Sequence, residues 1–157
     1  MDHLRELRAA YDRFFDVASA AAEIATIDAD GWSVATVVAH IAANDRAMTE
    51  HLRRAVDGAS TRYSNLDVYR AVDLQPIVER TPRVGDLIEA GRAASAELIE
   101  MAEALDERQA ALAFRTTILD CDAVQVDDDL PLASLFGAQL RVHLPLHMAQ
   151  IETLVGA

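Results

Sequence analysis

His143-Leu144-Pro145-Leu146-His147, with Gln150-Ile151 after it, lies in a stretch of helical spacing from Leu135 to Val155. Winding that stretch at about 100° per residue puts the two histidines one turn apart, on or beside a face shared with Phe136, Leu140, Ile151 and Leu154. Arg141 and Glu152 point away. Imidazoles inside an apolar stripe need polar partners, because an unpaired buried ring costs free energy. Two roughly parallel rings about 6 Å apart would offer two nitrogens to one metal ion. A third ligand must then come from elsewhere. Such a pair alone more often reflects packing, so the rest of the chain decides its weight.

Composition points to helices around one core. The chain has 157 residues, 52% of them apolar and many of those alanine, with six glycines and four prolines. That length suits a single domain, residues 1–157, and that mixture favours helix over strand. The one cysteine, Cys121, excludes an internal disulfide framework and a Cys-rich metal site, and fits a cytoplasmic protein. Fourteen basic residues against 26 acidic ones leave a formal net charge of −12. Such a surface repels nucleic-acid phosphates and anionic lipid. The start, Met1-Asp2-His3-Leu4-Arg5-Glu6, is not signal-like, and no apolar run approaches a membrane span.

Leu4, Leu7, Tyr11, Phe14, Phe15 and Ala18 predict a first helix from Asp2 to about Ile24. A turn at Asp28-Ala29-Asp30-Gly31 follows, then Trp32 and the N-cap candidate Ser33. The second helix runs to about Asp57, with Gly58 as terminator. His40 falls at the edge of its apolar stripe, where a ring reaches a cleft between helices. His51 is three turns on, about 16 Å along the axis, so one ion does not take both. With Glu50, Arg53 and Arg54 around it, His51 reads as solvated. Asp45 is a misplaced charge in the apolar stripe, requiring an arginine partner or a helix bend.

Residues 59–80 read as irregular, with a short helix from Leu66 to Leu74 interrupted by Pro76. A connection this long often covers a site. Thr81 and Pro82 open a third helix reaching about Asp106, in which Gly91 suggests a close helix crossing. Arg108 to Asp120 fits either a short helix turning extended or a strand-like arm. The acidic tract Cys121–Asp129 reads as a solvated loop rather than a calcium site, lacking the spacing and glycine of an EF-hand. Ser134 then caps a fourth helix, which Pro145 should kink between the histidines.

Two segments in this order, Gly31-Trp32-Ser33-Val34 leading to Val38-Ala39-His40-Ile41, and His143 through Ile151, resemble the DinB/YfiT-like superfamily. The likeness is nearest to the metal-binding N-terminal domain of mycothiol-dependent maleylpyruvate isomerases. It implies an all-α fold, an up-down-down-up four-helix bundle with a long connection between helices two and three. It also implies that His40, His143 and His147 bind one divalent metal, zinc ahead of nickel. A second domain of the kind the full-length isomerases carry is not expected here.

Three neutral imidazoles would leave the metal its full charge and an open position. The resemblance then implies a thiol S-transferase or isomerase using a low-molecular-weight thiol such as mycothiol on a small-molecule substrate. Asn44, Arg46, Tyr63 and Arg70 are candidates to orient an anionic substrate, although packing explains the tyrosine at least as well. Gln150, one turn after His147, suits a hydrogen bond to that ring or the open coordination position. Two other readings stand beside this one: a metal-dependent hydrolase with Asp45 as base, and a non-catalytic metal- or small-molecule-binding bundle. Nucleic-acid and membrane partners are not expected, whereas a homodimer through helix faces is compatible with the composition.

Overall fold

Ser33 starts the helix that carries His40, and its hydroxyl accepts from the Thr36 backbone N–H while Thr36 Oγ1 accepts from the Ser33 N–H. This reciprocal cap satisfies donors that a helix N-terminus otherwise leaves unpaired. At the other end, Gly58 takes φ 72°, and the Ala59 N–H reaches the Arg54 carbonyl at 2.8 Å. The left-handed residue that this closure needs costs glycine little.

The computed structural model describes residues 2–59, 62–120 and 123–156. In chain order it contains α1 (Asp2–Ala20), α2 (Val34–Val56), β1 (Arg62–Ser64), α3 (Ala71–Arg80), α4 (Val84–Ala104) and α5 (Glu107–Ala110). Strands β2 (Ala113–Asp120) and β3 (Ala123–Pro131) follow, then α6 (Leu132–Ala138), a π-helical turn (Gln139–His143) and α7 (Leu144–Gly156). Ser60, Thr61, Cys121 and Asp122 lie outside the described residues, so the readings made for them are not addressed.

The chain is predominantly helical, but the all-α expectation is corrected by a three-stranded sheet in the order β1-β2-β3. β1 runs parallel to β2, and β2 antiparallel to β3. The tract expected to be a solvated acidic loop is largely the edge strand of this sheet, with Asp127, Asp128 and Asp129 exposed on it. Carboxylates there discourage pairing with a second chain. Asp127 also takes an ion pair from Arg115 at 2.7 Å and a bond from the Thr117 hydroxyl. In β2, Phe114 and Thr116 turn inward, the period-2 pattern that sequence spacing left undecided. Asn65 extends the β1–β2 ladder: its side-chain amide donates to the Leu119 carbonyl, and its oxygen accepts from the Leu119 N–H.

Other boundaries moved. Pro76 lies inside α3 rather than interrupting a helix, and the carbonyl deprived of a donor belongs to Val72, which is 68% exposed. The caps of α4 and α6 are Arg83 and Pro131, not Thr81 and Ser134. α1 packs against α4 and α7, and α2 against α4 and α7. Their shared core includes Leu7, Phe14, Phe15, Ile41, Leu52, Leu98, Leu144 and Ile151. At the α1–α4 crossing a Cβ on Gly91 would come within 2.6 Å of the Phe15 ring, so glycine is what lets the helices approach. No helix among the described residues is long and apolar enough to cross a membrane.

Candidate metal centre

The π turn decides where His143 goes. In a uniform α-helix the core line through Leu132, Leu135, Phe136 and Gln139 would continue to residue 143. Instead the Leu144 N–H bonds back five residues to the Gln139 carbonyl. The turn is wider, so Leu144 becomes the next buried residue, and His147, Ile151 and Leu154 continue the line. His143 therefore moves to the edge of the core and is only partly buried. The apolar stripe expected from sequence is thus displaced, with Gln139 and Leu144 inside and Leu140 at the margin. Pro145, expected to kink the helix between the histidines, follows directly on this widened turn.

There His143 meets the other two. One ring nitrogen from each of His40, His143 and His147 lies within 4.8 Å of the other two. Ring centroids are 4.6 Å apart for His40–His147 and for His143–His147, and 5.0 Å for His40–His143. The two helical-pair rings stand at 89° rather than parallel, so their edges converge. Trp32 walls the cluster, its ring 5.7 Å from that of His40 and 6.2 Å from that of His147.

Carbonyl oxygens set the tautomers. His40 Nδ1 lies 2.6 Å from the Val68 carbonyl, and His147 Nδ1 lies 2.8 Å from Gln150 Oε1. Both acceptors are oxygen only, so each Nδ1 carries the proton and each Nε2 presents a lone pair. Val68 belongs to the connection between α2 and α3, which thus lies over the site. His40 Nε2 is 2.8 Å from His143 Nε2. Two lone pairs do not meet at that distance, so His143 Nε2 donates a proton there, leaving its buried Nδ1 without a partner.

This donor set fits a divalent cation. Nε2 of His40 and Nε2 of His143 lie 2.8 Å apart, and both would present lone pairs to one ion once the His143 proton is carried on Nδ1 instead. His40 and His143 are also held neutral, as ligands must be. Burial, then the nearby His147, pushes His40 down to about 3. Burial, then His147 and His40, holds His143 well below the usual histidine range.

The remaining candidates scatter. Gln150 reaches the centre through His147. Asn44 and Tyr63 are buried and bonded to each other, with the tyrosine hydroxyl donating to Asn44 Oδ1 at 2.6 Å. Arg70 makes a two-pronged pair with Asp73 and lies over the Tyr69 ring. Arg46 is exposed on α2. His51 is not solvated as expected: it is 7% exposed beneath the sheet, 4.3 Å from the Phe114 ring. Asp45 finds neither an arginine pair nor the metal centre. Its Oδ1 accepts from the Tyr11 hydroxyl at 2.7 Å and from Gln139 Nε2 at 3.0 Å, and its Oδ2 is buried without a partner. Desolvation raises its carboxyl to about 8, outweighing the lowering effect of the Tyr11 bond. The sequence carried no signal for the Val68 carbonyl or for Gln139, since both depend on distant elements meeting.

Fold and site together define a mainly helical protein with a three-histidine cluster built from α2 and the terminal helix. Residues 4–126 match the family of the mycothiol maleylpyruvate isomerase N-terminal domain, and the chain belongs to that mycothiol-related, DinB-like metal-binding family. His40 lies inside the match, whereas His143 and His147 lie beyond it. Comparison with curated proteins and with solved structures returns no match.

Proposed function

We propose that His40, His143 and His147 hold one divalent ion, zinc ahead of nickel, at which a low-molecular-weight thiol such as mycothiol acts on a small electrophilic substrate by S-transfer or isomerisation. The observation that carries the proposal is the convergence of three imidazoles, two of them fixed by carbonyls so that Nε2 faces the centre. Family membership supports the thiol class. A bound divalent ion lowers the pKa of a neighbouring thiol or water. Burial keeps His40 and His143 unprotonated, Val68 and Gln150 aim His40 and His147, and Trp32 covers one side. The thiol S–H proton passes to solvent and the sulfur forms a bond to the electrophilic carbon. In a transfer, the leaving group departs with its bonding pair; in an isomerisation the carbon's π pair moves onto the substrate as the C–S bond forms and returns as that bond breaks, releasing the thiolate.

A hydrolytic reading with Asp45 as base has less support, because that carboxyl is engaged with Tyr11 and Gln139. A cytoplasmic setting belongs to the same proposal, as does dimerisation using the face of Val142 and Leu146, which are 63% and 51% exposed.

Elemental analysis of untagged protein should find one zinc or nickel per chain, with His143→Ala and His147→Ala at background. Turnover of an electrophile by the metallated wild type should require added thiol. Equal metal in all three proteins would overturn the site; full turnover without thiol would favour the hydrolase; metal with no turnover would favour the binding protein.

A further inference from the structure

We propose that Gln139 is the positioning residue for His143, anchoring the π turn to Tyr11 and Asp45. The inference rests on the reading of the three histidines as a metal centre. His40 and His147 are each aimed by a carbonyl on Nδ1, whereas His143 Nδ1 is buried with no partner. The direction of His143 is therefore left to its backbone. That backbone is the π turn, whose wide bond closes on Gln139 itself. The Gln139 side chain is 3% exposed, and its Nε2 donates to Tyr11 Oη at 2.9 Å and to Asp45 Oδ1 at 3.0 Å. Tyr11 in turn donates to the same carboxylate oxygen at 2.7 Å.

These bonds tie the turn to α1 and to α2, the helix that supplies His40. One buried network thus sets the spacing of ligands that are 103 positions apart in sequence and 2.8 Å apart in space. A fully α-helical segment would return residue 143 to the core line and break that spacing. The polar group at position 139, one turn before the ligand, holds the register that prevents this.

The test is Co(II) titration followed by visible absorption, with thermal melts of the metal-free proteins. Gln139→Leu removes both donated bonds at nearly constant volume. Losing a direct outer partner of a metal ligand costs roughly tenfold to a hundredfold in affinity; misaiming His143 through its backbone should cost about tenfold, with an altered Co(II) spectrum. Asp45→Asn keeps an acceptor oxygen for both Tyr11 and Gln139, and should bind within about threefold of wild type. A purely structural role for Gln139 would lower the melting temperature and leave the spectrum and affinity of the folded protein unchanged; that result overturns the proposal. Should Gln139→Leu not fold, Tyr11→Phe removes one of the two acceptors while keeping the ring. A folded Tyr11→Phe with wild-type affinity and spectrum overturns it equally. Wild-type protein that takes up no Co(II) instead sinks the metal reading, which the Gln139 comparison by itself does not.

Discussion

Asp45→Asn should flatten the alkaline side of the stability curve of the metal-free protein. Burial raises the Asp45 carboxyl from its ordinary 3.8 to about 8. Between those values the unfolded chain has lost the proton that the folded chain keeps, so the folded state binds more protons and stability falls as pH rises. The sign is opposite to that of a salt-bridged aspartate. Each pH unit in the window costs about 1.4 kcal/mol, flattening as pH reaches the folded value, which gives about 2 kcal/mol lost between pH 6 and 8. The lowered values of His40 and His143 act the other way, since those rings lose stability as pH falls below 6.5. They are common to both proteins and cancel in the comparison. Urea unfolding in chelator, at pH 6, 7 and 8, should therefore show Asp45→Asn gaining about 2 kcal/mol on wild type across the range. A constant difference between the two proteins would refute the claim that Asp45 is protonated in the fold, and with it the dominance of desolvation over its bond to Tyr11.

Gln150→Leu removes the acceptor that fixes the His147 tautomer; metal affinity by competition with a chromophoric chelator should drop roughly tenfold to a hundredfold while the melting temperature of the metal-free protein barely moves. Gly91→Ala gains about 1 kcal/mol of helix propensity but places a methyl 2.6 Å from a Phe15 ring that is itself 1% exposed. Overpacking costs roughly 1–3 kcal/mol, so chemical denaturation should show a net loss of about 1 kcal/mol, and a gain would mean that the α1–α4 crossing has room for a methyl. Ser33→Ala breaks the reciprocal cap of α2 and should lower stability by about 1 kcal/mol, measured in the same way.

The helices with sustained apolar spacing were legible from sequence because their periodicity reports burial directly: Leu7, Tyr11, Phe14 and Phe15 all reach the core, and Ser33 caps where its position before Val34 says it should. Gly91 likewise announced its crossing. The sheet was harder to read. Asp127–Asp129 lack the apolar alternation that marks a half-buried strand, since an edge strand has one side to solvent and pairs through backbone groups that composition does not encode. His51 looked solvated beside Arg53 and Arg54, yet β1 and β2 cover it.

What the sequence alone determined is the helical class and the identity of the three histidines as a candidate set, because residue type and spacing belong to the chain. Their meeting was decided by tertiary structure. His40 and His143 touch only because α2 packs beside the terminal helix and a π turn takes His143 off the core line. The Val68 carbonyl and the Tyr11–Asp45–Gln139 network come from loops and helices far apart in sequence. Hydrogen bonds of that kind depend on distances to within a few tenths of an ångström, which local spacing does not specify and the packed fold does.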